Sequence, residues 1–341
     1  MKKTVKRLGF LLLALALATE CIGCGGSSDS SDTLGSSKGS SVSASNTEED
    51  TTWDPKEPIH IVGQSEAGSG PDLFVRALQP YLQEELDTAI VVENAAGSGG
   101  KIACTQVWKA EPDGYTLLAH SSPLTTVTQI SKDGEYNIPD FEHIISFDIT
   151  PYVLAVKKGS PIDSVEKLVE AAKTEKLSNS NSGIGGAMHL QSMIMKDALG
   201  IEYDEVPYNG SNPCVLAVMN GDVTMSVVAY DAVINNQEEV EILAVLADER
   251  LELLPDVPCM KELGYEFPFL SMRRGVVAPP ETPKAVVDRL IEAFAVAVEE
   301  PGFQKYAEES GVSMDVKLGE EYKMIDEAYY DTVMQYVDYL G

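Results

Sequence analysis

Short apolar runs that alternate with amphipathic stretches constrain the fold of this 341-residue chain more than any other feature. The runs have the length of strands, and the stretches between them have the apolar spacing of helices. The predicted strands are 59–62, 89–92, 115–118, 153–156, 223–228, 242–246 and 276–277, and the predicted helices are 71–86, 100–110, 164–173, 187–198, 212–220, 283–298 and 319–339. This alternation predicts an α/β fold with mainly parallel sheets flanked by helices.

Two of the predicted strands are followed by the same arrangement, a turn that contains proline and then a helix. Val153 to Val156 is followed by Gly159-Ser160-Pro161, and Val276-Val277 is followed by Ala278-Pro279-Pro280. Two such strands suit a chain that crosses twice between two α/β lobes, with a ligand cleft between them. The predicted lobes are residues 55–154 together with 275–341, and residues 155–274.

The N-terminus has the pattern of an export signal. Basic residues precede an apolar run from Leu8 to Ala18 that is too short to span a membrane. Cys24 follows a glycine, as in a bacterial lipobox, and precedes a polar segment with almost nothing to bury. We therefore expect a lipoprotein signal peptide at 1–23, lipidation of Cys24, a disordered tether at 24–54, and an extracytoplasmic domain held to the membrane by its lipid anchor alone. A signal that is simply cleaved, beside an incidental cysteine, is the alternative.

The formal net charge of −29, from 54 acidic and 25 basic side chains, argues against nucleic acid as a partner, because that needs clustered lysine and arginine. The four histidines are scattered, and Cys104, Cys214 and Cys259 have no CxxC spacing. We therefore expect no metal site, no disulfide framework and no cofactor. An anionic ligand would have to be held by local donors such as backbone N–H groups and hydroxyls.

Four loops rich in glycine and hydroxyl groups follow a strand and open a helix. In the first, Ser65 to Asp72, glycines allow close approach of a ligand, and N–H groups at the helix start carry a partial positive charge that favours a carboxylate. Residues of these types also build ordinary turns. The other loops are 119–126, 178–188 and 207–213. Because they follow the carboxyl ends of parallel strands, we expect all four to face one crevice.

Two segments resemble enzyme motifs, but each lacks residues that the motif requires. Gly63 to Ala67 is close to a nucleophile elbow, but its fifth position is alanine and its serine lies on the first strand of the domain. Gly97 to Lys101 is similar to a phosphate loop, yet it lacks the first glycine and the final serine or threonine. We therefore expect a binding protein, with a serine hydrolase as a weaker alternative.

Six segments, in this order and spacing, resemble the substrate-binding proteins of tripartite tricarboxylate transporters. They cover roughly residues 57 to 315 and read EPIHIVGQSEAGSGPDLFVRAL, IVVENAAGSGG, EPDGYTLL, VPYNGSNPCVLAVMNGDV, ILAVLADERLELLPDVPCMKELGY and RRGVVAPPETPKAVVDRL. The resemblance implies a monomer with a two-lobed type II periplasmic-binding-protein fold. Such a protein closes over a small organic acid and delivers it to integral-membrane transporter subunits. A protein that presents its ligand to a membrane sensor would have the same sequence features.

The resemblance also implies which residues bind the ligand. In relatives the first two loops hold one carboxylate, which points to Ala67, Gly68, Ser69, Asp72, Ser121, Ser122 and Thr125. The opposite lobe contributes through Ser182, Gly183, Gly186, His189, Tyr208, Gly210, Tyr230 and Asp231. Asp72 is expected to organise its loop, since a bare carboxylate would repel the ligand. Arg274 is a candidate bidentate partner or a surface arginine beside a crossing strand. Asn209 and the run 271–274 depart from the family pattern, so the identity of the carboxylate stays open.

Overall fold

The computed structural model describes residues 53–341, so Cys24, the predicted signal peptide and almost all of the predicted tether lie outside the described residues. The strands are β1 (Ile59–Gly63), β2 (Ile90–Asn94), β3 (Thr116–Ser122), β4 (Glu142–Asp148), β5 (Tyr152–Lys157), β6 (Leu177–Asn181), β7 (Tyr203–Pro207), β8 (Met225–Ala229), β9 (Val240–Leu246), β10 (Arg273–Ala278) and β11 (Met314–Leu318). The helices are α1 (Gly70–Leu86), α2 (Lys101–Trp108), α3 (Leu124–Ser131), α4 (Val165–Ala171), α5 (Ala187–Leu199), α6 (Ser211–Asn220), α7 (Tyr230–Val233), α8 (Lys284–Glu299), α9 (Pro301–Glu309) and α10 (Gly319–Gln335). None of the described helices is long and apolar enough to span a membrane.

The strands form two sheets, each the centre of one lobe. The sheet of lobe 1 has the order β11-β4-β10-β3-β1-β2, and that of lobe 2 has the order β7-β6-β8-β5-β9. Strands β1, β2 and β3 run parallel, as do β6, β7 and β8, while β10 and β5 are antiparallel to both of their neighbours. The expected mainly parallel sheets are therefore mixed sheets. The reason is that each crossing chain enters its sheet in the opposite direction: β10 inserts antiparallel between β3 and β4 in lobe 1, and β5 inserts antiparallel between β8 and β9 in lobe 2.

Helices cover both faces of the sheet in lobe 1. On one face, Phe74 of α1 and Phe294 of α8 both pack against Phe147 of β4. The distances between ring centroids are 5.1 Å for Phe74 and 6.1 Å for Phe294. A separate cluster that includes Cys104 and Tyr322 covers the other face. Burying an aromatic or aliphatic side chain of this size stabilises the fold by about 1.5–3 kcal/mol. Lobe 2 has its own larger core.

The lobes are joined by two crossing segments that pair with each other. Thr150 and Met272 exchange two backbone hydrogen bonds of 2.8 Å, just before β5 and β10 begin. The predicted boundaries at 154/155 and 274/275 fall inside these strands, whereas β5 pairs wholly within lobe 2 and β10 wholly within lobe 1. Helix α10 is a third connection, since its beginning packs on lobe 1 while Tyr329 and Val333 join the core of lobe 2.

Candidate functional site

The first loop is organised by Asp72, as expected. Its buried carboxylate accepts hydrogen bonds from the Gly68 N–H (2.8 Å), from Arg76 Nε (3.0 Å) and from Asn94 Nδ2 (2.9 Å). Burial alone would raise the pKa of Asp72, but these donors lower it below its ordinary value. Gly68 has φ +81°, a conformation that favours glycine. Asp72 therefore shapes the loop with its side chain turned away from solvent.

The loop delivers the start of α1 to the cleft. Ser69 is the N-cap residue, and no side chain caps the helix there. The first N–H groups of a helix have no acceptor within it, and this 17-residue helix directs its positive dipole end to the same place. Ala67 and Gly68 are exposed at the loop tip, and Ser69 Oγ lies 2.9 Å from Ser65 Oγ. The Gly68 and Ser69 N–H groups already donate to Asp72 and to the Glu66 carbonyl, and Pro71 has no N–H. The donors that remain for a carboxylate are therefore those at the start of α1, and the loop carries no basic side chain.

A cavity of about 180 Å³, here called the inner cavity, lies beside the start of α1 and is lined by Gly70, Pro71, Ser121, Asp148, Thr150, Asp231, Met272 and Arg274. Arg274 donates to Asp148 from its backbone N–H (2.9 Å), from Nε (2.7 Å) and from Nη2. Its guanidinium also lies 5.0 Å above the Phe74 ring. Arg274 is therefore held rigidly at the cleft, and its bidentate partner in this structure is Asp148.

Asp231 faces this ion pair from lobe 2. Although the residue as a whole is exposed, desolvation of its carboxyl group in the cleft raises its pKa, Arg274 lowers it and the charge of Asp148 raises it again, so the net direction is upward. The neighbouring Tyr230 lines an adjacent cavity of about 260 Å³ together with Asp231 and Arg274. A carboxyl group that takes up a proton in this position can donate a hydrogen bond to an anionic ligand.

The predicted residues of the second loop lie partly at the cleft and partly in the interior of lobe 1. Ser121 lines the inner cavity. Ser122 and Thr125 are fully buried: Ser122 Oγ donates to Asp326 of α10, and Thr125 Oγ1 lies 3.0 Å from His120 Nδ1. Burial lowers the pKa of His120 to about 4, so this imidazole is neutral. The hydroxyls of Ser122 and Thr125 thus fasten α10 and α3 to lobe 1 in this structure and are not free for a ligand.

A larger cavity of about 630 Å³, here called the outer cavity, lies between α3 of lobe 1 and two loops of lobe 2. Four predicted residues line it, namely Ser182, Gly183, Gly186 and Gly210. The last two are the N-cap residues of α5 and α6, and neither helix has a side-chain cap or an acidic residue in its first turn. The wall of lobe 2 therefore presents helix starts with unopposed partial positive charge.

His189 and Tyr208 support this wall without lining either cavity. His189 is buried, and its Nδ1 accepts a hydrogen bond of 3.3 Å from the Gly185 N–H. Burial lowers its pKa, against the opposing charge of Glu205. The Tyr208 N–H donates to the Asn181 carbonyl at 2.8 Å. Both residues therefore fix the loops that carry the cavity lining.

Sequence reasoning missed Lys132 and Leu340 as residues of the candidate site, and it noted Met272 only within the run 271–274 that departs from the family pattern. Met272 lines both cavities, and Leu340 lines the outer one, where its carbonyl packs against Gly185. Lys132 follows α3, a helix that was expected after the loop 119–126 but whose end was not predicted, so the sequence did not indicate that Lys132 lies near a ligand. Cavities of about 370 Å³ elsewhere, one of them around Lys158 and Leu254, contain none of the predicted residues.

The chain is similar to a family of known receptors. The family model described as tripartite tricarboxylate transporter family receptor matches residues 74–328. Protein BugT of Bordetella pertussis is 30% identical over 241 residues, which is 68% of this chain and 74% of the relative. A TctC solute-binding protein from Polaromonas has TM-score 0.76 at 23% identity, covering 83% of this chain and 99% of its own. The R. palustris protein Rpa4515, solved with adipate, has TM-score 0.67 at 25% identity, covering 84% and 98%.

The chain therefore belongs to the tripartite tricarboxylate transporter receptor family. This confirms the resemblance, the two-lobed α/β fold and the expectation of an extracytoplasmic solute-binding receptor and not an enzyme. The Gly63 to Ala67 motif is the end of β1 and the beginning of the first loop, with Ser65 Oγ accepting from Ser69 Oγ.

Proposed function

We propose that this member of the family binds a small organic carboxylate between its lobes and delivers it to a membrane transporter of the tripartite type. The observation that carries the proposal is the uncapped start of α1, which opens onto the inner cavity beside Ser121 and Arg274. Backbone N–H groups at a helix start are suited to a carboxylate. The adipate bound by the related R. palustris protein supports the same class of ligand.

The arrangement of the lobes supports capture by closure. Both cavities have walls from both lobes, so a ligand that contacts both walls favours the closed state over the open one. The paired crossing segments at Thr150 and Met272 are short, which suits a hinge. The transporter would then recognise the closed form.

We further propose that the protein works as a monomeric lipoprotein on the outer face of the cell membrane. The basic and apolar residues before Gly23 and the following Cys24 support a processed and diacylated N-terminus. Two acyl chains supply stable anchoring. The polar segment 24–54 would let the binding lobes reach the transporter.

A thermal-shift screen of mono-, di- and tricarboxylates, amino acids and sugars on the domain from residue 53 onward tests the ligand class. A carboxylate at a hundredfold excess over its Kd should stabilise the fold by about 2.7 kcal/mol, because it binds the folded state alone. Calorimetric titration of the hits then gives the affinity. A screen in which only sugars raise the melting temperature would refute the proposal.

A further inference from the structure

Lys132 stands out among the charges of the cleft. It is the only charged residue among those that line the outer cavity. Most basic side chains in the described part of the chain pair with a carboxylate, as expected where acidic residues outnumber basic ones by two to one. Lys132 has no such partner within residues 53–341. Its positive charge is therefore available to a ligand.

The surroundings of Lys132 hold it at the cavity. Lys101 Nζ donates to the Lys132 carbonyl at 2.8 Å, and the Lys132 N–H donates to the Thr128 carbonyl at 3.1 Å. A Cβ atom built on Gly99 would come within 3.3 Å of Lys132 Nζ and 2.7 Å of Thr128 Oγ1. The absence of a side chain at Gly99 therefore leaves the space in which the ammonium group lies, beside a hydroxyl.

The opposite wall adds no negative charge. Lobe 2 lines the outer cavity with Tyr152 and residues 182–188 and 209–211, none of which is acidic. The inner cavity differs, because Arg274 there is matched by Asp148 and faced by Asp231. Met272 lines both cavities, so they are neighbours within one cleft. A ligand with one carboxylate at the start of α1 could extend past Met272 into the outer cavity, where Lys132 is the charged lining residue.

We propose that Lys132 binds a second anionic group and so makes this protein selective for dicarboxylates over monocarboxylates. The inference rests on the proposed function and deepens it. A hydrogen bond that involves a charged group contributes enough to change affinity by on the order of tenfold to a hundredfold. Ligands that lack the second carboxylate would leave Lys132 solvated and would bind without its help.

Calorimetric titration with matched acids tests the assignment: succinate, glutarate, adipate and phthalate, each beside the monocarboxylic acid of the same skeleton. The parent should prefer the diacid of the pair it binds best. Lys132→Gln should lose on the order of tenfold to a hundredfold in diacid affinity while monoacid affinity stays unchanged, and Lys132→Arg should keep most of the preference. Lys109→Gln is the matched control, since it removes one charge from lobe 1 at an exposed ion pair with Glu135 outside the cavity.

The role of Lys132 and the carboxylate site itself can be refuted separately. If the parent binds these acids and Lys132→Gln weakens diacids and monoacids alike, or neither, the role of Lys132 is refuted and the carboxylate site stands. If the parent binds no acid of either kind, the proposed function is refuted, and the selectivity is refuted with it.

Discussion

Replacing Gly68 by valine tests whether the first loop contacts the ligand. Gly68 has φ +81°, and a Cβ atom built there meets nothing within 4 Å. The variant should therefore fold, with a stability loss of about 1–2 kcal/mol from the left-handed backbone. Each kcal/mol lowers the melting temperature of a domain of this size by roughly 2–4 °C. A ligand carboxylate at the α1 start would meet the new methyl groups, so affinity should fall more than tenfold, about 1.4 kcal/mol.

Gly159→Val is the matched control for this variant. Gly159 has φ +74°, also has open space around its Cβ position, and lies in an exposed turn after β5 in lobe 2, whereas Gly68 lies two residues before the start of α1. Both variants should lose similar stability in thermal melts, and calorimetry on the folded proteins should show lost binding for Gly68→Val alone. Ser69→Ala should cost less, about threefold to tenfold in affinity. If Gly68→Val binds as the parent does, the loop is a structural turn and the ligand lies elsewhere.

Three further predictions concern charge and anchoring. Because the pKa of Asp231 is raised, the affinity for a carboxylate should increase as the pH falls toward that pKa. Asp231→Asn should bind a carboxylate more tightly than the parent at neutral pH, and its affinity should depend less on pH. Calorimetric titration at several pH values tests this, and a parent affinity that does not change with pH would contradict it. In the folded protein His120 stays neutral down to about pH 4, whereas in the unfolded chain it takes up a proton below its ordinary pKa of 6.5. The free energy of unfolding should therefore fall by about 2 kcal/mol between pH 6.5 and pH 5. Urea unfolding should show a shallower loss in His120→Gln, and an equal loss would exclude the imidazole as the cause. Cys24→Ala should release the protein from the membrane fraction, and unchanged fractionation and mass would show that another residue is lipidated.

The apolar pattern predicted seven of the eleven described strands and missed β4, β6, β7 and β11, although β4 buries Ile144, Ile145 and Phe147. Strand β6, LSNSN, is the missed strand whose buried side chains are mostly polar. Within it Asn179 Nδ2 donates to Ser192 Oγ and to Glu205, and Asn179 Oδ1 accepts from the Val227 N–H at 2.9 Å. Its buried side chains are satisfied by hydrogen bonds, so neither alternation nor an apolar run marks it as a strand. The sequence therefore assigned 178–181 to a loop.

For the candidate site, the sequence likewise identified the loops but not the orientation of their side chains. Glycine, proline and hydroxyl residues identified the four loops that join β1, β3, β6 and β7 to the helices that follow them. They did not show which hydroxyls reach the cleft, because that depends on distant partners. Ser122 bonds to Asp326, which is 204 residues away in the chain, and Tyr322 contacts His120 at 2.7 Å over a similar separation. Only the packing of α10 on lobe 1 decides these orientations.

A strongly acidic chain can bind an anion because nearby charges decide the field in the cleft. At physiological salt the Debye length is about 8 Å, so most surface carboxylates are screened from a bound ligand. Among the acidic residues near the inner cavity, Asp72 is compensated by Arg76 and Asp148 by Arg274. Of the residues that line that cavity, Asp231 is left as the acid without an ion-pair partner. The balance between that one carboxyl group and the helix N–H groups therefore matters more for binding than the net charge of −29.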